Sequence, residues 1–291
     1  MTPISVVIPA IRYDSELQSC LRSLMNQKNV DLEVWVVFNP IKPSIDFTAW
    51  PKWIHFELSK KGVNSARNVG LSKSSRDLVL FLDSDCEIVD ANHIEKLAYF
   101  LESKPQASGA GGGYQTAKAA NTTTLAYNYL QMQWLRQQIV GSDFSSQALI
   151  GGHMLLKKSK IGSEKFDENI IFGGAEKEFF VRLGQQSHLF YVDLNLNVLH
   201  TSEISRKDLL KKAKAQGEGD FYIKSRNPGL MSARTTYFVK PYFDSSWSED
   251  INSYQSEFSK YSKQGSKKVN FIKKFVYSMI EHLMISQSSR D

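Results

Sequence analysis

The sequence predicts an α/β fold with a Rossmann-like, doubly wound and mostly parallel sheet flanked by helices, followed by a helical C-terminal extension. Three observations predict it. Short apolar runs recur early in the chain, at residues 4–9, rich in β-branched residues, and at 32–38 and 78–82. Apolar positions at helical spacing lie between them, and alternating β and α elements of this kind build parallel sheets. A hydrophobic content of 42% over 291 residues is enough for one large core with an appendage.

Taken in order, residues 4–9 read as a buried parallel strand. In the helix that follows, Leu17, Cys20, Leu21, Leu24 and Met25 share a face and Asp14 is available as N-cap. Residues 32–38 form the second strand, ended by Asn39-Pro40, because a residue before proline is driven to extended geometry. A weaker third strand at 54–58, a short helix at 64–72 and a fourth strand at 78–82 follow. The continuous LVLFL of the fourth strand requires cover on both faces. The second half is less regular. It offers a glycine-rich strand end at 111–113, a helix at 124–138, a strand at 149–156, a helix at 176–183, short strands ending at His200 and a basic helical stretch at 207–224. There are no internal repeats, and residues 227–262 carry no assignable pattern.

Composition excludes several classes. Cys20 and Cys86 are the only cysteines and fall where buried thiols are common, so a disulfide framework is not expected. There is no uninterrupted apolar run of about 18 residues, and MTPISVVIPA lacks the basic start and cleavage pattern of a signal peptide. A cytoplasmic chain is therefore expected. Formal charge is +6, but residues 255–291 hold seven Lys/Arg against three Asp/Glu, leaving a nearly neutral body. Nucleic acid is not an expected partner.

In open α/β sheets ligands bind beyond the carboxyl ends of the strands, which singles out Asn39 and the DLVLFLDSDCEI segment. Asp83 and Asp85 stand two apart just past an apolar strand. Hard divalent cations take oxygen ligands, and Mg²⁺ commonly uses one or two carboxylates while substrate phosphates complete its shell. D-x-D at a strand end thus suits a metal bridging protein to diphosphate; a solvated turn is the competing reading.

Over residues 3–224 the chain resembles the inverting glycosyltransferases of family 2, which have the GT-A fold. The segments that carry the resemblance come in the family's order: SVVIPA at 5–10, EVWVV at 33–37, KGVNSARNVGL at 61–71, LVLFLDSD at 78–85, GGHMLLKK at 151–158, FDE at 166–168, GGAEKEFFVRL at 173–183 and VLH at 198–200. Their order and joint presence make the match specific. The resemblance implies a GT-A catalytic domain over residues 1–225, with an extension over 226–291. It also implies a nucleoside-diphosphate sugar donor, an acceptor hydroxyl on a glycan or lipid-linked molecule, a place in cell-surface polysaccharide synthesis, and Mn²⁺ or Mg²⁺ as cofactor.

Residue by residue, it puts Asp83 at the donor ribose or metal, Asp85 on the metal, and His200 near metal and diphosphate from the far side. Arg67, with Lys61, faces the donor phosphates or base, and an arginine suits bidentate phosphate recognition. Pro9, Ala10, Ile11, Asn39 and Ser84 fall at donor-lining positions, and His153 lies near the acceptor. Aligning GGAEKEFFVRL with the family's G-E-D-x-E-L-x-x-R-L places Glu176 at the catalytic carboxylate as general base, with Ala175 replacing the preceding acid. Glu178, two residues on, is a second acceptor-side candidate, but its direction on the helix differs from that of Glu176, so only one of the two glutamates faces the acceptor. Two solvent-facing glutamates favoured by the helix dipole are the competing reading.

Ile11 stands where the family often has an aromatic residue, and Phe38-Asn39 where it often has Asp-Asp or Asp-Asn, so UDP, dTDP and GDP sugars all stay open. These departures, with Ala175, also keep open a degenerate domain that binds a nucleotide sugar or a partner without turnover. Nucleotidyl transfer fits less well, because no glycine-rich basic loop follows the first strand. In the extension, residues 267–285 place Val269, Ile272, Phe275, Val276, Met279, Ile280 and Leu283 on one face and lysines on others. Docking on its own domain, a homodimer contact and peripheral attachment to an anionic inner membrane face all suit that pattern.

Overall fold

The computed structural model describes residues 1–117, 120–171 and 174–226. β1 (Thr2–Ala10) buries its last seven residues. α1 (Ser15–Met25) is capped as expected, the Asp14 carboxylate accepting from Leu17 N, and it buries Leu17, Cys20, Leu21 and Leu24. β2 (Val30–Phe38) and β3 (Ile54–Leu58) add in parallel on one side of β1. α2 (Val63–Lys73) returns the chain to β4 (Leu78–Leu82), parallel to β1 on its other side and buried throughout. A strand with no solvent-facing side has no use for a polar residue, which accounts for LVLFL.

Beyond β4 come β5 (Cys86–Glu87), α3 (His93–Glu102), β6 (Ala107–Gly111), β7 (Tyr114–Thr116), α4 (Thr122–Gln138), β8 (Ser145–Ser146) and β9 (His153–Lys157). The short α5 (Lys158–Ile161), α6 (Ala175–Gln185), β10 (Leu189–Val192), β11 (Val198–His200) and α7 (Arg206–Arg226) complete the described chain. The main sheet has the order β3-β2-β1-β4-β9-β6-β10-β8, and β5-β11-β7 form a second, smaller sheet. β9 runs antiparallel to both β4 and β6, and β8 antiparallel to β10, so the sheet is mixed at this end. This is the GT-A arrangement.

Two departures from the sequence reading bear on the site. The strand expected over 149–156 begins only at His153, because Gly151 and Gly152 belong to a turn closed by His153 N on Ile150 O at 3.0 Å. Glycine pairs weaken a strand and permit such a turn. α3 was not anticipated, although Ile94, Leu97, Ala98 and Leu101 are buried at helical spacing.

Two units form by contact. The first holds residues 1–115, 135–171 and 175–202, and contains the main sheet. Within it α2 lies tight on β1: a Cβ on Gly70 would stand 2.2 Å from Val7 Cγ1, so glycine sets how closely the Arg67-bearing helix approaches the sheet. Cys20 and Cys86 are free and buried, and burial pushes both thiols well above their ordinary range.

Among the described residues, the second unit holds 116–117, 120–134, 174 and 203–226. There Asn121 caps α4 by accepting from Thr124 N at 2.9 Å, Ile204 N donates to Thr124 Oγ1 at 2.8 Å, and the Lys212 ammonium lies 5.0 Å from the Tyr127 ring centre. α7 runs through residue 225, where the sequence reading put a domain boundary, and the expected helix at 267–285 lies outside the described residues. Among the described residues no helix is long and apolar enough to cross a membrane.

Candidate active site

Strand order reverses between β1 and β4, with β2 and β3 on one side and β9 on the other. Such a switch point leaves a crevice at the carboxyl ends of the strands. Asp83 follows β4 directly and Asp83 N donates to Gly152 O at 3.1 Å, which ties the D-x-D turn to the turn before β9. Cys86 N closes the D-x-D turn on Asp83 O at 3.1 Å. β5 then pairs antiparallel with β11, His200 opposite Cys86, and this register brings His200 Nε2 to 3.4 Å from Asp85 Oδ2. Tyr114 of β7 donates its hydroxyl to Asp83 Oδ2 at 3.1 Å, and its ring lies 5.0 Å from the His200 ring.

Arg67 approaches the same turn from α2. It is 3% exposed, with one guanidinium nitrogen 4.0 Å from Asp83 Oδ1 and another 3.7 Å from Glu176 Oε2. Both separations are longer than hydrogen bonds, so the cation is shared between the carboxylates rather than locked to either. The Phe166 ring lies 5.5 Å from the guanidinium carbon, at cation–π range. Glu176 stands in the first turn of α6, where the dipole favours a carboxylate, and keeps 19% side-chain exposure. Glu178 turns away: both of its oxygens accept from Arg182, at 2.8 and 3.0 Å, and Arg182 also pairs with Glu164. Two glycines keep the space between these groups open. A Cβ on Gly151 would stand 2.5 Å from Arg67 and 3.1 Å from Glu176 Cδ, and one on Gly152 would stand 2.2 Å from Asp83 Oδ2 and 2.3 Å from the Tyr114 hydroxyl.

Arg67 thus meets Asp83 and Glu176, His200 meets Asp85, and Tyr114 touches both Asp83 and His200. Pro9 and Ala10 lie at the carboxyl end of β1, with Ile11 exposed just beyond, and Ser84 is half-buried in the D-x-D turn. Asn39 is buried, and its amide donates to Ala10 O at 3.1 Å, knotting the ends of β1 and β2. Lys61 is exposed just ahead of α2. His153 corrects its acceptor-side reading: it is fully buried, with Nε2 3.0 Å from His93 Nε2, so its ring has no surface to offer an acceptor. Tyr114 was missed, since a lone tyrosine after three glycines gives no signal until β7 and β11 come together.

The histidine pair makes a prediction of its own. One ring donates and the other accepts, so both cannot be protonated in the fold. Burial lowers His93 to about 4 against Asp90 and Asp193, which raise it, and Lys96, which lowers it; burial also holds His153 well below its ordinary value. A histidine with a depressed folded pKa binds fewer protons folded than unfolded, so the stability is whole above pH 6.5 and falls as pH drops toward 4. His93 alone accounts for on the order of 3 kcal/mol over that window. Urea midpoints between pH 7 and 4 are expected to fall more steeply for the native chain than for His93→Gln; equal slopes would remove the pair from the acid response.

Among the described residues no group of three or more His, Cys, Asp or Glu side chains is placed to hold a metal ion by itself. Asp85 and His200, 3.4 Å apart, and Asp83, whose carboxylate lies beside Gly152, offer oxygen and imidazole donors of the kind Mn²⁺ or Mg²⁺ accepts, and an ion there would need substrate phosphates to complete its shell. The residues present fit such an ion.

A large, mostly parallel sheet flanked by helices, with carboxylates just past a central strand, is the architecture of the GT-A glycosyltransferases. The sequence pattern of Glycosyl transferase family 2 matches residues 5–162, more than half of the chain. The chain belongs to that family. Two curated relatives align over shorter stretches. An uncharacterized glycosyltransferase of Rickettsia bellii (strain RML369-C) is 35% identical over 105 residues, 34% of this chain and 15% of that protein. Glycosyltransferase GlyA of Streptococcus pneumoniae serotype 4 is 28% identical over 117 residues, 38% of this chain and 16% of that protein. The alignments thus span a small part of both relatives. Among solved structures, the mannosyltransferase PcManGT from Pyrobaculum calidifontis, in complex with GDP-Man and Mn²⁺, superposes with a TM-score of 0.59 at 11% identity, covering 99% of this chain and 88% of its own. Residues 1–349 of TarS from S. aureus superpose at 0.50 and 14% identity, covering 100% and 91%. Likeness at these identities concerns the fold.

Proposed function

We propose that the chain is a metal-dependent, inverting glycosyltransferase that moves a sugar from a nucleoside-diphosphate donor to a hydroxyl of a glycan or lipid-linked acceptor, in cell-surface polysaccharide synthesis. Arg67 carries this reading: a buried cation shared by two carboxylates, beside a space two glycines keep open, suits a diphosphate on the Asp83 side and an acceptor on the Glu176 side. The neighbour bound to GDP-Man and Mn²⁺ supports donor and metal classes. Arg67, with Lys61 at the rim, binds the diphosphate. Pro9, Ala10, Ile11, Asn39 and Ser84 border the nucleoside end of the crevice. Asp83, Asp85 and His200 are the residues that would hold the cation, which would supply positive charge against the charge gathering on the leaving diphosphate. Glu176 takes the proton from the acceptor hydroxyl as its oxygen attacks the anomeric carbon opposite the departing group, which inverts the configuration.

A thermal-shift screen of UDP, dTDP and GDP with Mn²⁺ tests donor and metal together. One nucleotide at about 100 times its dissociation constant is expected to add about 2.7 kcal/mol, a shift of a few degrees that chelator removes. Asp85→Ala is expected to lose that shift and most nucleoside diphosphate release from the matching donor. Full release in Asp85→Ala would sink the mechanism, and binding without release across acceptors would identify a binding domain instead.

A further inference from the structure

Asn64 lies one helical turn before Arg67 on α2, is fully buried, and touches both halves of the site. Its Oδ1 accepts from an Arg67 guanidinium nitrogen at 3.4 Å, while its Nδ2 donates to Asp167 O at 2.8 Å and to Ala175 O at 3.1 Å. Ala175 immediately precedes Glu176, so a single amide spans from the arginine to the backbone that presents the glutamate. Asn68, four residues on and on the same helix face, secures the earlier part of that segment. It donates to Phe166 O and Glu168 Oε1 and accepts from Phe166 N, at 2.9, 3.0 and 2.9 Å. Asn68 thus holds the segment ahead of α6, whereas Asn64 reaches from Arg67 to Ala175 at the start of α6 itself.

We infer that Asn64 is a positioning residue for glycosyl transfer, setting the start of α6 so that Glu176 faces the acceptor hydroxyl at a fixed distance from Arg67. This rests on Glu176 being the general base. The physical ground is the amide's geometry: a buried side chain with both donors placed on backbone carbonyls has one orientation, and it transmits the position of α2 to that of α6. A shift of about 1 Å in a reacting group can cost about a hundredfold in rate, so losing the tie is felt in turnover rather than in donor binding.

The test is a mutant cycle read as steady-state nucleoside diphosphate release, with water as acceptor, from UDP-, dTDP- and GDP-linked hexoses. Asn64→Ala is expected to lower kcat about 30-fold with KM for the donor within about threefold of the native chain. In a Glu176→Gln background the same substitution is expected to change kcat by less than about threefold, because two groups acting through one step are not additive. An equal loss in both backgrounds, or a native kcat in Asn64→Ala, overturns the assignment. If Glu176→Gln alone keeps native turnover, it is the base that fails. Should Asn64→Ala lose cooperative melting, Asn64→Ser supplies a small polar side chain that cannot span from Arg67 to Ala175. It is expected to melt near the native temperature with the same drop in kcat, and native kcat there overturns the assignment as well.

Discussion

Glu176→Gln is expected to lower sugar transfer by about a thousandfold while leaving donor affinity within a few fold, measured as kcat and KM for nucleoside diphosphate release. Glutamine keeps the length and shape of the side chain but cannot accept the acceptor's proton. It also removes one of the two negative charges that face Arg67, the other being Asp83 at 4.0 Å. A buried guanidinium that loses one counter-charge becomes more available to a diphosphate, so donor affinity is expected to hold or to tighten slightly. That combination separates a base from a fold element, since a collapse of α6 would weaken donor binding and thermal stability together. Glu178→Gln provides the contrast. Its carboxylate already serves Arg182 through two hydrogen bonds, so its removal is expected to cost stability at the surface of α6 and to leave the chemical step in place. Native kcat in Glu176→Gln would transfer the base to another group.

Much of this site could be read from the chain because its residues sit at places the backbone pattern reveals. Asp83 and Asp85 follow an unbroken apolar strand, and Asp14 precedes the helical spacing it caps. Arg67 and Glu176 were reached only through the order of segments that resemble a family, since a buried arginine and a surface one look alike in sequence. What stayed hidden depends on pairing between distant parts of the chain. Tyr114 meets Asp83 because β7 joins β11 and β5 in the smaller sheet, and no local pattern encodes that register. His153 was read toward the acceptor because its partner, His93, lies sixty residues earlier on a helix that was not anticipated. β5 and β8, with two residues each, are too short for alternation to appear at all. Nothing local marks Asn64 either, since its partners Asp167 and Ala175 lie more than a hundred residues on.

Gly152→Ala is expected to abolish nucleotide-dependent thermal stabilisation and to reduce turnover about a hundredfold or more, although it adds one methyl group. The position allows no escape for that methyl. It would stand 2.2 Å from Asp83 Oδ2, 2.4 Å from Asp83 Cγ and 2.3 Å from the Tyr114 hydroxyl, all far inside contact distance. Asp83 cannot retreat freely, because its backbone N is bound to Gly152 O itself and its carbonyl receives Cys86 N. Tyr114 is buried, with its ring against His200, so yielding there disturbs the side chain beside Asp85. Relief therefore comes from rotating the Asp83 carboxylate out of the space where diphosphate and cation are proposed to meet, which removes the site while leaving the sheet paired. Overpacking of this kind costs about 1–3 kcal/mol of stability, a few degrees of melting temperature, so the protein is expected to stay folded as it loses function. Gly151→Ala makes the matched comparison: its methyl would meet Arg67 at 2.5 Å and Glu176 Cδ at 3.1 Å, on the proposed acceptor side. Its loss is expected to fall on kcat more than on nucleotide binding. If both variants lost nucleotide binding equally, the division of the site into a diphosphate side at Asp83 and an acceptor side at Glu176 would be wrong.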